Sequence, residues 1–366
     1  MKAIVFDGEA PAHLAEVELA DPRAGEVRVR IAAAGVCHSD LHVRRGEWAV
    51  PLPLVMGHEG SGVITAVGDG VTSVAPGDHV ILSWVPACGE CRACRAGRPA
   101  QCFLVATVVA PQGVLHDGTS RLRLDGRPIH HYLGVSSFAE EAVIPESGAV
   151  PIRKDAPLDV AALIGCGVAT GIGAVQNTAQ VPAGASVAVL GCGGVGLSCI
   201  AGARLAGAES IVAVDVLPAK LGAAHAFGAT DTVDASGGDA VERLRELQPE
   251  GVDFAFDAIG KTDTTEQAIA MLALGGAAVI VGLPPTGARA SFEPLTLAEA
   301  DQRILGSNYG SVVPHRDFPV IVDLYMDGTL PLDDLVSARR PLGDAEDALQ
   351  RLARGEVLRT LLLPGE

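Results

Sequence analysis

Residues 186–196 read SVAVLGCGGVG, an apolar run that leads directly into a GxGxxG motif. In a strand–loop–helix unit, the first glycine (Gly191) permits a tight turn, and the second (Gly193) lets the backbone approach a pyrophosphate. The third, Gly196, allows the following helix to pack closely on the strand. Gly194 and Val195 complete a loop at a helix N-terminus, where N–H groups and partial positive charge attract phosphate. The stretch therefore predicts a dinucleotide-binding unit.

An acidic residue at the expected distance supports this interpretation. Asp215 comes 19 residues after Gly196, at the end of the apolar run Ile211–Val214. A carboxylate there accepts hydrogen bonds from a ribose 2′-hydroxyl and repels a 2′-phosphate, which favours NAD over NADP. The alternative is that Asp215 only caps the turn before Pro218.

The two parts of the chain differ in their hydrophobic pattern. Residues 1 to about 150 show strand and turn signals, such as the alternation of Val27, Val29 and Ile31 with charged residues. From Ser186 onward, strands alternate with helices, which predicts a parallel sheet covered by helices on both faces. We expect Ala277–Val281 to be a buried strand whose exposed edge is a candidate subunit interface.

Composition narrows the class of protein. The 366 residues carry 27 Lys and Arg against 44 Asp and Glu, a formal charge of −17, which argues against a nucleic-acid binder. The run Val160–Ala203 contains no charged residue or histidine, but Pro182 and ten glycines interrupt it, so we interpret it as protein core and expect no membrane partner. The N-terminus lacks the pattern of a secretory signal, and we expect a cytoplasmic protein.

Four of the eight cysteines form a compact cluster. Cys88, Cys91, Cys94 and Cys102 lie within 15 residues, interleaved with Gly89 and other turn residues. Four soft ligands on one loop predict a closed, tetrahedral structural zinc site. From ligand type alone, the cluster could also hold an iron–sulfur centre, or its members could be four unpaired surface thiols.

The remaining candidate ligands are dispersed. Cys37 lies in GVCHSD at 35–40, His58 in GHEG at 57–60 and Cys166 in GCG at 165–167. Their spacing does not join them, and each could be a buried structural residue.

Taken together, these motifs resemble the zinc-dependent medium-chain alcohol dehydrogenases over nearly the whole chain. The resemblance rests on GVCHSDLH at 35–42, GHEGSG at 57–62, the four-cysteine loop at 88–102, GCG at 165–167, GCGGVG at 191–196 and LRT at 358–360. It implies an α/β protein with a β-rich, GroES-like catalytic domain made of residues 1–167 and 309–366. A Rossmann domain, doubly wound around a parallel sheet, would occupy residues 168–308.

The resemblance also implies a second, catalytic zinc. Cys37, His58 and Cys166 would be its three protein ligands, which leaves a fourth position for water or alcohol. Asp40 would hold the second ring nitrogen of His58, and Glu59 would lie beside the metal.

Further roles carry over residue by residue. Ser39 resembles the hydroxyl that contacts the alcohol, and His42 the histidine at the solvent end of a proton relay through the cofactor ribose. Lys220 resembles a lysine near the adenosine ribose. Arg359 resembles an arginine that reaches the pyrophosphate, assisted by His38.

Substrate preference is less sharply marked. Counting without gaps from Cys37 and Cys88 places the two tryptophans, Trp48 and Trp84, at positions that line the family's substrate pocket. Two bulky rings there favour an unbranched or flat alcohol over a branched secondary one. The alternative is that both rings pack in a core. The segment Phe103–Ser137 matches no motif, and neither Cys192 nor Cys199 has an assigned role.

The predicted activity is therefore reversible hydride transfer from a primary alcohol, aliphatic or aromatic, to NAD, in a homodimer or homotetramer with two zinc ions per chain. One alternative is a glutathione- or mycothiol-dependent formaldehyde dehydrogenase, which segments 163–168 and 170–174 resemble. His42 argues against this branch, which generally lacks that relay group. Two further hypotheses are a non-catalytic NAD-binding redox sensor and a zinc-free quinone reductase, and the intact ligand set argues against both.

Overall fold

The computed structural model describes residues 1–9, 11–237 and 240–365. The chain divides into two compact units. One unit is made of both chain ends, Met1–Gly167 and Val313–Glu366, and the other of the middle segment, Val168–Val312. The second junction lies four residues later in the chain than the sequence analysis placed it.

Short strands make up most of the first unit, and strands alternating with helices make up the second. The strands are β1 (Lys2–Phe6), β2 (His13–Glu16), β3 (Glu18–Leu19), β4 (Glu26–Gly35), β5 (Leu54–Val55), β6 (Gly60–Val67), β7 (His79–Leu82), β8 (Leu122–Leu124), β9 (Arg127–Pro128), β10 (His130–His131), β11 (Glu141–Pro145), β12 (Ala149–Ile152), β13 (Ser186–Leu190), β14 (Ser210–Asp215), β15 (Asp231–Asp234), β16 (Val252–Asp257), β17 (Leu272–Ile280), β18 (Arg303–Gly306), β19 (Val336–Pro341) and β20 (Arg359–Leu363). The α-helices are α1 (His38–Arg44), α2 (Arg92–Arg95), α3 (Ala110–Gln112), α4 (Leu158–Ala161), α5 (Gly167–Gly173), α6 (Gly194–Ala206), α7 (Pro218–Phe227), α8 (Ala240–Leu247), α9 (Thr262–Ala270), α10 (Pro294–Glu299), α11 (Pro314–Met326) and α12 (Ala345–Ala353).

The middle unit is built around a six-stranded parallel sheet in the order β15-β14-β13-β16-β17-β18. Numbered from β13, this order is 3-2-1-4-5-6, which is that of a doubly wound dinucleotide-binding fold. The order reverses between β13 and β16, and the glycine loop follows β13. The predicted fold class is therefore confirmed for this unit.

The predicted edge of this sheet was wrong. Ala277–Val281 falls largely within β17, which pairs with β16 on one side and β18 on the other. The edge strands are β15 and β18. The β18 segment has only four residues and begins with an arginine, so it carries almost no strand signal.

The other unit contains the sheet that organises the candidate metal site. Its seven strands run β12-β7-β6-β4-β20-β19, with β11 also paired to β4. Val27, Val29 and Ile31 of β4 are buried, as the alternation predicted. Near the end of β4, Ala34 is opposite Gly60 of β6, and Gly35 is opposite Leu361 of β20. β4 therefore lies between β20 and β6, and Cys37 follows β4 while His58 precedes β6.

Among the described residues, no single helix is long and apolar enough to cross a membrane. One bent pair, Leu158–Gly165 with Gly167–Ala179, would suffice by length and composition only.

Candidate functional site

Three dispersed residues meet in a buried cluster in the β-rich unit. The ligand atoms of Cys37, His58 and Cys166 all lie within 4.8 Å of one another, and all three residues are buried. Cys37 follows β4 and precedes α1, His58 lies just before β6, and Cys166 immediately precedes α5. Strand register brings together residues whose spacing could not connect them.

The hydrogen bonds of His58 leave one nitrogen free for a ligand. Its Nδ1 donates to Oδ1 of Asp40 across 3.2 Å, and the other Asp40 oxygen accepts from the backbone N–H of Cys37 at 3.0 Å. Nε2 of His58 is buried and has no hydrogen-bond partner within the described ranges. A buried lone pair without a partner is costly unless a metal occupies it. Together with two thiols, this nitrogen fits a zinc ion.

Charges in the cluster favour a deprotonated thiol. A hydrogen bond from Cys166 outweighs burial and holds the pKa of Cys37 well below its usual value. The pKa of Cys166 is raised correspondingly, because the pair shares one proton. Burial lowers the pKa of His58, but Asp40 and Cys37 overcome this and raise it to about 10. The site thus attracts positive charge, which a metal ion would supply in place of a proton.

A buried ion pair adjoins the cluster. Arg359 places its guanidinium on the Glu59 carboxylate, and the other Glu59 oxygen accepts from the backbone N–H of Gly167 at 2.9 Å. Burial raises the pKa of Glu59 against the opposing charge of Arg359. Sequence reasoning did not predict this pairing. The assigned contact of Arg359 with a pyrophosphate stays a prediction.

Ser39 and an aromatic residue without an assigned role border the ligands. Oγ of Ser39 lies 3.9 Å from Sγ of Cys37. Tyr132 donates its hydroxyl to the Ser39 carbonyl at 3.1 Å, and its ring meets the His58 imidazole edge-on at 5.4 Å between centroids. Tyr132 lies within the segment Phe103–Ser137, where no motif marked it.

The proposed relay histidine has close neighbours of its own. His42 contacts the carboxylate of Glu47 through Nδ1, and its ring stacks on Trp48. Both Trp48 and Trp84 are partly buried and pack against the main hydrophobic core of this unit. Their role as walls of a substrate pocket stays a prediction.

The four-cysteine loop forms a second candidate metal centre. The sulfurs of Cys88, Cys91, Cys94 and Cys102 lie within 4.8 Å of one another. Cys91 accepts a hydrogen bond from the backbone N–H of Phe103 at 3.4 Å, and N–H donors including those of Cys94 and Phe103 lower its pKa to about 6. Burial raises the pKa of Cys94 to about 12. Four converging sulfurs fit a closed tetrahedral zinc site better than unpaired surface thiols.

In the middle unit, the glycine loop has the required geometry. Gly191 has φ +92°, and a Cβ on Gly196 would lie 1.7 Å from the Gly191 carbonyl oxygen, so that neither position tolerates a side chain. Gly193, Gly194 and Val195 are partly exposed at the N-terminus of α6. This accessible N-terminus suits a pyrophosphate.

Asp215 is the last residue of β14, and its side chain bonds both to the glycine loop and to the turn that precedes α7. Its carboxylate accepts from the N–H of Cys192 at 2.7 Å and from that of Leu217 at 3.0 Å. It therefore does cap the turn before Pro218, and each oxygen keeps a further lone pair for a ribose. Lys220 is half-buried in α7. His38, in the other unit, is exposed at the start of α1.

Comparison with known proteins identifies the family. The model for the alcohol dehydrogenase GroES-like domain matches residues 23–154, and that for zinc-binding dehydrogenases matches 194–327. An alcohol dehydrogenase zinc-binding domain protein from Burkholderia ambifaria is 38% identical, with 99% of this chain and 98% of that chain covered and a TM-score of 0.94. The chain belongs to the zinc-dependent medium-chain alcohol dehydrogenase family. This confirms the resemblance and the GroES-like and Rossmann fold class.

Two further solved structures are similar to almost the whole chain. Benzyl alcohol dehydrogenase from Acinetobacter calcoaceticus is 34% identical to the present chain, with 99% of this chain and 98% of that chain covered and a TM-score of 0.93. A structure from Sinorhizobium meliloti 1021 with bound NADP is 29% identical, with 99% of each chain covered and a TM-score of 0.82. The chain is thus a zinc-binding oxidoreductase of the alcohol dehydrogenase family acting on a small molecule.

Proposed function

We propose that this protein is an NAD-dependent alcohol dehydrogenase that oxidises primary alcohols, aliphatic or aromatic, reversibly to aldehydes. The observation that carries the proposal is the buried set of Cys37, His58 and Cys166, in which Nε2 of His58 has no hydrogen-bond partner within the described part of the chain. Three ligands leave the fourth position of a tetrahedral ion open for substrate, as a catalytic site requires.

We assign two zinc ions to each chain. Cys37, His58 and Cys166 would hold the catalytic ion, and Cys88, Cys91, Cys94 and Cys102 the structural one. When bound, the catalytic ion supplies Lewis acidity that lowers the pKa of an alcohol hydroxyl. Asp40 would orient His58 toward the ion, and the Glu59–Arg359 ion pair would lie beside it.

Proton handling falls to Ser39 and His42. Ser39 borders the ligand set, since its Oγ lies 3.9 Å from Sγ of Cys37. We assign it the hydrogen bond to the alcohol hydroxyl. His42 is partly exposed, which suits a group that accepts the released proton and returns it to water.

The middle unit would bind the cofactor that accepts the hydride. Gly191, Gly193, Gly194, Val195 and Gly196 form the pyrophosphate loop. Asp215 has lone pairs left for ribose hydroxyls, and its charge opposes the 2′-phosphate of NADP. Lys220 would contact the adenosine ribose, and Arg359 with His38 the pyrophosphate.

Substrate choice follows from the two tryptophans. We place Trp48 and Trp84 in the alcohol pocket, where their rings favour flat or unbranched substrates. The 34% identity to a benzyl alcohol dehydrogenase supports an aromatic alcohol.

The test is cofactor reduction, followed by absorbance, with benzylic, primary aliphatic and secondary alcohols. Formaldehyde premixed with glutathione or mycothiol forms the second arm. We expect benzylic and primary alcohols to exceed secondary ones by about tenfold or more in kcat/KM. Activity confined to the thiol-trapped formaldehyde would replace the proposal with the conjugate-dependent enzyme. Cofactor binding without turnover of any substrate would support the redox sensor.

We further propose a homodimer or homotetramer in the cytoplasm. The edge strand β18 offers unpaired backbone groups, and Ile304 on β18 and Leu274 near the start of β17 are exposed. None of the eight cysteines forms a disulfide in the described structure, which suits a reducing compartment. A monomeric mass measured by light scattering of the purified protein would contradict the proposed homo-oligomer.

A further inference from the structure

A tight turn after α1 brings the Glu47 carboxylate to the imidazole of His42. Helix α1 ends at Arg44, and the chain reverses through Gly46 at φ +68°. The backbone N–H of Glu47 then donates to the carbonyl of His42 at 2.9 Å. The turn delivers the Glu47 carboxylate to Nδ1 of the same histidine.

The surroundings fix the plane of the His42 ring as well as one of its nitrogens. Trp48 stacks on it with centroids 4.5 Å apart and an interplanar angle of 18°. The side chains of His42 and Glu47 are 18% and 28% exposed, so water competes only partly for their contact. Arg45 approaches the second Glu47 oxygen at 3.9 Å, which helps to hold the carboxylate in place.

This contact determines a tautomer. An ionised carboxylate only accepts hydrogen bonds, so Nδ1 of His42 carries the hydrogen. In the neutral ring, Nε2 then has the lone pair and is the nitrogen that can take up a proton. A histidine without such a partner populates both tautomers, and one of them has no base at Nε2.

We propose that Glu47 is a positioning residue that holds His42 in the tautomer whose Nε2 accepts the proton released by the alcohol. This inference rests on the proposed function, in which His42 accepts that proton. The neighbouring carboxylate balances the positive charge that His42 gains.

The proton and electron pair are accounted for separately. In the proposed reaction the hydride would leave the carbinol carbon with its electron pair, and a bound NAD would accept it. The hydroxyl proton would be relayed by way of Ser39 to Nε2 of His42, at the solvent end, and pass from there to water. Glu47 keeps its charge throughout and forms no bond to substrate.

The first test compares Glu47→Gln with a matched control, Glu346→Gln. Glu346 also anchors α1, through an ion pair with Arg44 at 3.0 Å, whereas the carboxylate on the His42 ring is that of Glu47. A glutamine can face either tautomer because its amide both donates and accepts. For Glu47→Gln we expect kcat to fall by about 10- to 100-fold, with KM within about twofold of native. Added imidazole should restore most of this loss, and Glu346→Gln should keep native kcat.

The second test reads the tautomer without reference to activity. In protein labelled with ¹⁵N-histidine, the His42 resonances, assigned by comparison with His42→Gln, should show Nδ1–H in the native protein. They should show a mixture of tautomers in Glu47→Gln. A lower kcat that imidazole does not restore, or an unchanged tautomer in Glu47→Gln, would overturn the inference. If the native protein oxidises no alcohol, the proposed function fails, while the resonances still decide what Glu47 does to His42.

Discussion

Asp40 and His58 are buried partners whose Oδ1 and Nδ1 atoms lie 3.2 Å apart. The same carboxylate accepts the backbone N–H of Cys37, so one side chain orients two of the three candidate zinc ligands. With Nδ1 engaged, Nε2 is the buried His58 nitrogen left for a ligand.

Asp40→Asn should therefore weaken zinc binding at the Cys37 site. We expect a loss of about 10- to 100-fold in affinity, because the amide no longer fixes the His58 tautomer by charge. Chelator competition, monitored by zinc release, measures this change. Asp21→Asn, at an exposed aspartate, is the control. If Asp40→Asn bound zinc with the same affinity as the native protein, Asp40 would not contribute to zinc binding.

The two metal centres should respond differently to loss of a cysteine. By elemental analysis, the variants Cys37→Ser and Cys91→Ser should each retain about one of two zinc ions. Cys37→Ser should abolish turnover with little change in melting temperature. Cys91→Ser should instead lower the melting temperature, because a structural zinc contributes folding free energy. If Cys91→Ser melted like the native protein and only slowed turnover, the division into catalytic and structural sites would be wrong.

Asp215 should set the preference between the two nicotinamide cofactors. Asp215→Ala removes both the acceptor for the ribose hydroxyls and the charge that opposes a 2′-phosphate. We expect the ratio of NAD to NADP affinity to fall by about tenfold or more, measured by titration of each cofactor. Because Asp215 also accepts a hydrogen bond from the glycine loop, its loss can weaken the binding of both NAD and NADP. An unchanged ratio of the two affinities would contradict the proposed role of Asp215 in cofactor preference.

A buried histidine outside both metal centres should make the protein sensitive to mild acid. Nε2 of His131 accepts from the backbone N–H of Arg121 at 3.1 Å. Burial, reinforced by the Arg121 charge, lowers the pKa of His131 to about 3. The unfolded chain binds this proton near pH 6.5 and the folded one does not, so the stability that neutral His131 contributes is lost as pH falls below 6.5 toward 3.

We expect the free energy of unfolding to fall by about 1.4 kcal/mol per pH unit from this residue, or about 2 kcal/mol by pH 5. Urea unfolding of His131→Gln, which keeps an acceptor near the Nε2 position, should show a shallower dependence on pH. His13→Gln, at an exposed histidine, is the control. An identical slope in His131→Gln and the native protein would contradict this prediction.

Local spacing was enough to predict some features. The glycine loop and the four-cysteine loop each lie within 15 residues, so chain geometry alone brings their members together. The doubly wound sheet followed from the same local logic, since each strand and its helix leave a periodic signal.

Other features depend on contacts between distant parts of the chain. His58 and Cys166 are 108 residues apart, and their meeting depends on strand register, so that only the family resemblance linked them. Glu59 and Arg359 are 300 residues apart, and no sequence motif connects them. The sheet edge was misplaced because β18 is short and polar at its start. Glu47 is close to His42 in sequence, but its return depends on how the chain turns after α1.

The central claim is that this chain moves a hydride from an alcohol carbon to NAD at the Cys37–His58–Cys166 site. The most direct measurement uses benzyl alcohol dideuterated at its carbinol carbon and determines the mass of the reduced cofactor. We predict that each benzaldehyde formed is matched by one reduced NAD carrying one deuterium, and that Cys37→Ser forms neither product. Reduced NAD without deuterium, or full transfer by Cys37→Ser, would contradict the account.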